Sequence, residues 1–133
     1  MATALDQAEA QRLQNAHLGL ASYTAPTTPM MLRTYTVTGS ASATGTQSTG
    51  GSYTPQSLTA ALPAGSTNGS ITNSAGAVSF TGMPASTVTA VEIWDSNGTP
   101  RRAAWGALTA NKTLGAGDTL TFPTSSITEN INS

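Results

Sequence analysis

The sequence predicts an all-β protein: a single β-sandwich or jelly-roll-like domain of short antiparallel strands preceded by one short α-helix. Three observations carry this. Short runs rich in Thr, Val, Ile and aromatic residues recur along most of the chain, separated by Gly, Pro and Asn signals. The length of 133 residues suits one domain with one core. Only 8% of residues are charged, against about 25% in ordinary soluble domains, so the surface must be built of neutral hydroxyl, amide and glycine groups.

Residues 3–18 read as the helix, because Ala, Leu, Gln, Glu and Arg dominate there. Thr3 is the expected cap, with Asp6 three residues on, and Gly19 stands where a helix stop belongs. Leu5, Ala8, Leu13, Ala16 and Leu20 form a thin apolar stripe. A helix this short is marginal alone, so it should dock on its own sandwich or on a neighbouring subunit. Pro26 and Pro29 then make a stiff connector. The expected organisation is a docking arm over residues 1–29 and a β-sandwich over residues 30–133.

Residues 31–38 are the first strand candidate. Residues 39–51 contain almost only Gly, Ser, Thr, Ala and Gln, and are expected to form a long exposed loop. Further strands are expected at residues 53–62, where Pro55 favours an edge or a late start, and at 70–72, 77–80, 88–95, 103–109 and 119–122. In the 88–95 run Val88, Ala90, Val91, Ile93 and Trp94 are apolar on both parities, which makes it the candidate centre of the core. Asn97-Gly98 supports a tight turn, and Pro100 should extend the connection through Arg101.

The net charge of −1 argues against a nucleic-acid partner. Without cysteine there is no disulfide or thiolate metal site. The first residues include Asp6, Glu9 and Arg12 where a secretory signal needs an apolar core, and no run reaches membrane-spanning length. The expectation is a soluble protein made in the host cytoplasm, with no membrane partner.

No residue set points to catalysis, a cofactor or a metal. His17, the lone histidine, lacks an oriented partner and a nucleophile. Glu92 and Asp95, three apart on a strand, should point to opposite faces. Asp95 is expected to accept backbone hydrogen bonds at the turn, and Glu92 to be a strand-face charge. Asp118 is one carboxylate where a calcium loop needs several ligands, and Gly115 and Gly117 lack the lysine of a phosphate loop. Arg101-Arg102, with Trp94 and Trp105 nearby, suggests a subunit contact or a stacking site for sugar. The Asn-x-Ser/Thr triplets at Asn68, Asn97 and Asn111 are expected by chance in so hydroxyl-rich a chain.

Several ordered segments resemble one family. Gly50-Gly51-Ser52-Tyr53 follows the Gly/Thr-rich stretch, then Ile71-Thr72-Asn73-Ser74, a strand from Val78 to Phe80, and Ile93-Trp94-Asp95. Gly106-Ala107-Leu108-Thr109 and Gly117-Asp118-Thr119-Leu120 close the series. Over residues 32–131 the chain resembles small bacteriophage virion structural proteins: the tail-fibre-like, minor tail and capsid-decoration proteins of siphophages and actinobacteriophages. Where that family commonly has Ala-Arg after its tyrosine, Thr54-Pro55 stands here, and the N-terminal helix lies outside the resemblance.

The resemblance implies a non-enzymatic virion component. The absence of coiled-coil heptads or fibre repeats directs the expectation to a capsid decoration protein that binds and stabilises the major capsid protein shell. Leu5, Leu13, Leu20, Arg101 and Arg102 would then be the capsid or subunit contacts, and a homo-oligomer, trimeric for instance, the state on the particle. Two alternatives stand beside it: a minor tail or tail-tip/fibre protein, and a glycan-binding adhesin domain.

Overall fold

The computed structural model describes residues 1–131. In chain order the elements are β1 (Ala2–Leu5), α1 (Gln7–His17), β2 (Met31–Val37), β3 (Thr46–Gln47), β4 (Gln56–Ser57), β5 (Ser70–Thr72), β6 (Val78–Met83), β7 (Ser86–Trp94), β8 (Arg102–Leu114), β9 (Asp118–Phe122) and β10 (Thr128–Asn130). The larger sheet runs β3-β2-β7-β8-β1-β10-β5, with β4 also pairing β2; β6 and β9 form the smaller one. Every pairing is antiparallel except β1 with β10. The all-β sandwich with one short helix is therefore the observed fold.

A single bent ribbon makes the two layers. β7 and β8 pair from Trp94 opposite Arg102 down to Ser86 opposite Leu114, and the same two chain segments continue as β6 and β9, with Met83 opposite Asp118. Between them the chain turns a corner at Pro84, which cannot donate to a ladder, and at Gly117, which has φ 86° and donates its N–H to the Met83 carbonyl at 2.8 Å. A left-handed backbone there suits glycine. The corner brings Val78, Phe80, Met83, Leu120 and Phe122 onto Leu32, Val91, Ile93 and Ala104, all buried in one cluster. Phe80 stacks on Tyr53 with centroids 5.9 Å apart and meets Phe122 edge-on at 6.1 Å. Each such large side chain contributes about 1.5–3 kcal/mol by leaving water.

The centre of the core falls on β7, as its apolar run predicts. Val91 and Ile93 face the smaller sheet by alternation, and a register break between Val88 and Ala90 lets Val88 join them.

The N-terminus departs from expectation. Residues 2–5 are a strand inserted between β8 and β10, with Ala4 opposite Trp105 and Ala2 opposite Thr128. The helix starts one turn later, and Asp6, not Thr3, caps it: Oδ1 accepts from the Ala8 and Glu9 N–H groups at 2.8 and 3.3 Å. Two open strand edges outweigh helix propensity at Thr3, whose β-branched side chain is buried in the pairing. The C-terminal stop stands: Gly19 has φ 73° and donates to the Ala16 carbonyl at 3.1 Å.

Residues 39–51 are not a simple exposed loop. β3 pairs with β2, and Ser40 bridges Ala43. Ser48 is buried and accepts from the Thr34 hydroxyl at 2.8 Å. At Gly45 a Cβ would fall 2.0 Å from the Val37 carbonyl oxygen, so the absence of side chains lets this segment lie directly on the sheet. Of the expected strand over 53–62 only β4 forms; Pro55 precedes it and a 3-10 turn at Thr59–Ala61 follows.

Candidate functional site

The face of β7 turned away from the apolar core carries Glu92, because Val91 and Ile93 occupy the other parity. Its carboxylate is buried and receives four donors: Arg102 Nη1 at 3.0 Å, Thr44 Oγ1 at 2.7 Å, the Gly45 N–H at 2.9 Å and Trp94 Nε1 at 3.0 Å. The strand-face charge expected at Glu92 is thus an internal anchor that draws the 39–45 segment onto the sheet. Above it Tyr35 has its hydroxyl pushed up to about 12, chiefly by burial, with Glu92 adding to the effect.

Arg102 is saturated as well. It pairs with Asp6 and Glu92 and donates to the carbonyls of Ala43, Ser40 and Ala41 at 2.9, 2.6 and 3.1 Å. This one guanidinium joins the helix cap, the loop and the central strand. As an outward-facing contact residue it is therefore ruled out: its side chain is 5% exposed.

A second cluster forms where α1 lies over the β7–β8 connection. Glu9, buried on the helix, accepts from Arg12 Nη1 at 3.0 Å, lies 3.1 Å from Arg101 Nε and accepts from the Tyr23 hydroxyl. Burial first, and the Glu9 hydrogen bond second, push the Tyr23 phenol up to about 12. Arg101 also donates to the Thr24 carbonyl at 3.0 Å, which ties the connector to this turn.

Asp95 organises the turn itself, as expected. Its carboxylate accepts from the N–H groups of Arg101 at 2.8 Å, Thr27 at 3.2 Å and Asn97 at 3.4 Å. Burial alone would raise its carboxyl, but these backbone donors, helped by the Arg101 charge, hold it below the ordinary carboxylate value. Asn97 and Gly98 are not at positive φ; instead the Asn97 side chain accepts from the Thr99 N–H at 3.0 Å.

Between these clusters opens a cleft of about 440 Å³, with Asp6, Arg12, Thr44, Trp94, Thr99 and Arg101 in its walls. The Arg33 guanidinium lies 4.9 Å from the Trp94 ring centroid, so the indole is fixed by a cation over the ring and a carboxylate at its N–H. Trp105 does not join Trp94 here: it stands opposite Glu92 in the ladder and is absent from the cleft walls. A second, mainly apolar groove of about 250 Å³ has Met1, Leu108, Leu120 and Phe122 among its walls.

The proposed contact residues scatter. Leu5 closes β1 and Leu13 is half-buried on α1, while Leu20 is 72% exposed just past the helix. Arg101 and Arg102 both line the cleft, but only Arg101 has a substantial part of its side chain accessible. Glu9, Tyr23 and Thr44 had no signal in the sequence, since each takes its role from a partner at least 14 residues away in the chain. Among the described residues no group of three or more His, Cys, Asp or Glu is placed to hold a metal, and no helix is long and apolar enough to cross a membrane.

The protein is thus a β-rich module with few charged groups, its carboxylates and guanidiniums largely paired with one another beside the cleft. A family model described as podophage GP4 fiber I protein gp80 matches residues 4–130, and the chain belongs to that family. It is a bacteriophage virion structural protein. The match begins inside β1 and takes in α1, which the motif resemblance left outside. No curated protein matches the chain.

Proposed function

We propose that the protein is a structural component of a phage fibre, carried on the tail side of the particle, with no catalytic step of its own. The single observation behind this reading is the family match over residues 4–130, which favours the fibre alternative over capsid decoration. The fold supports it in two ways. The N-terminal strand is part of the sheet, paired with β8 and β10, so residues 2–5 are not a free docking arm. The exposed Leu18, Leu20 and Val37 side chains offer small apolar contacts to neighbouring virion chains, further copies included. Immunogold labelling of intact virions with antibody raised against the chain tests this: gold confined to the tail and its fibres supports it, and gold spread over the head lattice contradicts it.

A further inference from the structure

We propose that the cleft walled by Trp94, Arg12 and Arg101 binds an acidic saccharide, with the sugar ring against the indole and its carboxylate on the two guanidiniums. This goes beyond the fibre reading and does not depend on it, because the binding is a property of the isolated chain wherever the chain sits in the virion.

Ion pairing is the first argument. Arg12 and Arg101 share one salt-bridge partner, the Glu9 carboxylate. Tyr23 adds no second one, since its phenol titrates only near 12 and stays neutral while donating to Glu9. Asp95 feels the Arg101 charge but spends its oxygens on three backbone N–H groups of the turn, and Glu129 forms no ion pair with either arginine among the described residues. Asp6 is engaged by Arg102 and by the first N–H groups of α1, and Glu92 is saturated by its four donors. Arg33, over Trp94, has no carboxylate partner among the described residues and adds positive potential behind the indole.

Donor geometry is the second. Among the described residues Arg12 Nη2 and Arg101 Nη1 meet no protein acceptor, while Glu9 holds both side chains in place. Guanidiniums with fixed planes and unused N–H groups are suited to a carboxylate. The third argument is the ring. Trp94 is fixed before any ligand arrives, which reduces the ordering cost of binding, and the Thr44 and Thr99 side chains line the same cleft. A volume of about 440 Å³ falls in the range of small-molecule sites. An apolar platform, hydroxyl neighbours and two guanidiniums with unused N–H groups match a ring of C–H faces, hydroxyls and one carboxylate better than they match a purely apolar or polyanionic ligand.

The test uses the purified full chain and trigalacturonate, followed by tryptophan fluorescence and calorimetry. Saturable binding is expected, at least about tenfold tighter than that of the neutral trisaccharide maltotriose. Arg101→Gln and Arg12→Gln should each weaken it about tenfold, and Arg12→Lys, which keeps the charge but not the planar N–H fork, should recover only part of that loss. Arg12 is the safer site, because its side chain is 44% exposed and its replacement should leave the circular dichroism spectrum unchanged. Trp94→Phe, which keeps a ring but removes the indole N–H, should bind while losing the fluorescence response. Equal affinity for maltotriose, unchanged affinity in a folded Arg12→Gln protein, or displacement of the sugar by equimolar inorganic phosphate would each overturn the proposal. So would failure of trigalacturonate, a glucuronate trisaccharide and sialyllactose alike to bind at about 10 mM.

Discussion

Arg102 Nη1 lies 3.0 Å from Glu92 Oε1, and neither side chain is more than 5% exposed. A buried pair of this kind does not by itself imply high stability, since both ions leave water, but removing one partner leaves an uncompensated charge in a dry site. Here the pair also holds the helix cap and the 39–45 segment against β7. Arg102→Met or Glu92→Leu should each cost about 3–5 kcal/mol, read as a fall in the urea midpoint of the purified protein.

Thr44 is the next consequence of that site. In a Gly/Ser/Thr-rich stretch its replacement looks neutral, yet its hydroxyl donates to Glu92 at 2.7 Å. Thr44→Ala should cost about 1–3 kcal/mol, because it removes a donor from a buried carboxylate. Thr109→Ala, at an exposed position of β8, should stay within about 0.5 kcal/mol of the parent.

Ile93→Ala probes the opposite face of the same strand. Ile93 is buried in the cluster that joins the two layers, so the cavity should cost about 2–5 kcal/mol in denaturant melts. A change below about half a kcal/mol would mean that the smaller sheet does not pack there.

Removing residues 1–5 should unfold or aggregate the protein. Without β1 the facing edges of β8 and β10 lose their partner, and the Thr128 N–H loses its acceptor, the Met1 carbonyl 2.9 Å away. Exposed strand edges promote association. Circular dichroism and size-exclusion chromatography of the truncated chain check this; a monomer with an intact β spectrum would show that the strand is dispensable.

Asp95 supplies the pH dependence. Its carboxyl is held below 3.8 in the folded state, so there the folded protein binds fewer protons than the unfolded chain. The stabilisation it gives is complete above 3.8 and is lost as pH falls through the lower, folded value. Asp95→Asn should therefore melt earlier than the parent at about pH 7 and show a shallower loss on going from about pH 5 to about pH 2. Parallel curves for the two proteins would contradict the role given to the turn.

What was legible in the sequence follows from which contacts are local. The β7 strand announces itself through apolar residues on both parities, and Asp95 through its place before Asn97-Gly98, because two of its three backbone donors, Asn97 and Arg101, lie within the same turn. β1 was not legible: residues 2–5 have no strong strand signal, and their conformation is set by β8 and β10, about 100 and 125 positions later. The cleft was half legible. Trp94 and Arg101 stand close together in the chain, but the carboxylate that positions Arg101 comes from Glu9, 92 residues before it. Arg102 looks like the other half of a surface doublet, yet the register break between Ile93 and Trp94 turns it onto the face that carries Glu92.

The central claim, that this β module is a fibre component, is tested most directly by a cryo-electron microscopy map of the intact virion into which the bent β6–β7/β8–β9 ribbon is fitted. Density for this fold is expected in the fibres of the tail assembly, at a stoichiometry set by the tail. The same density repeated across the head shell in register with the major capsid protein would contradict it.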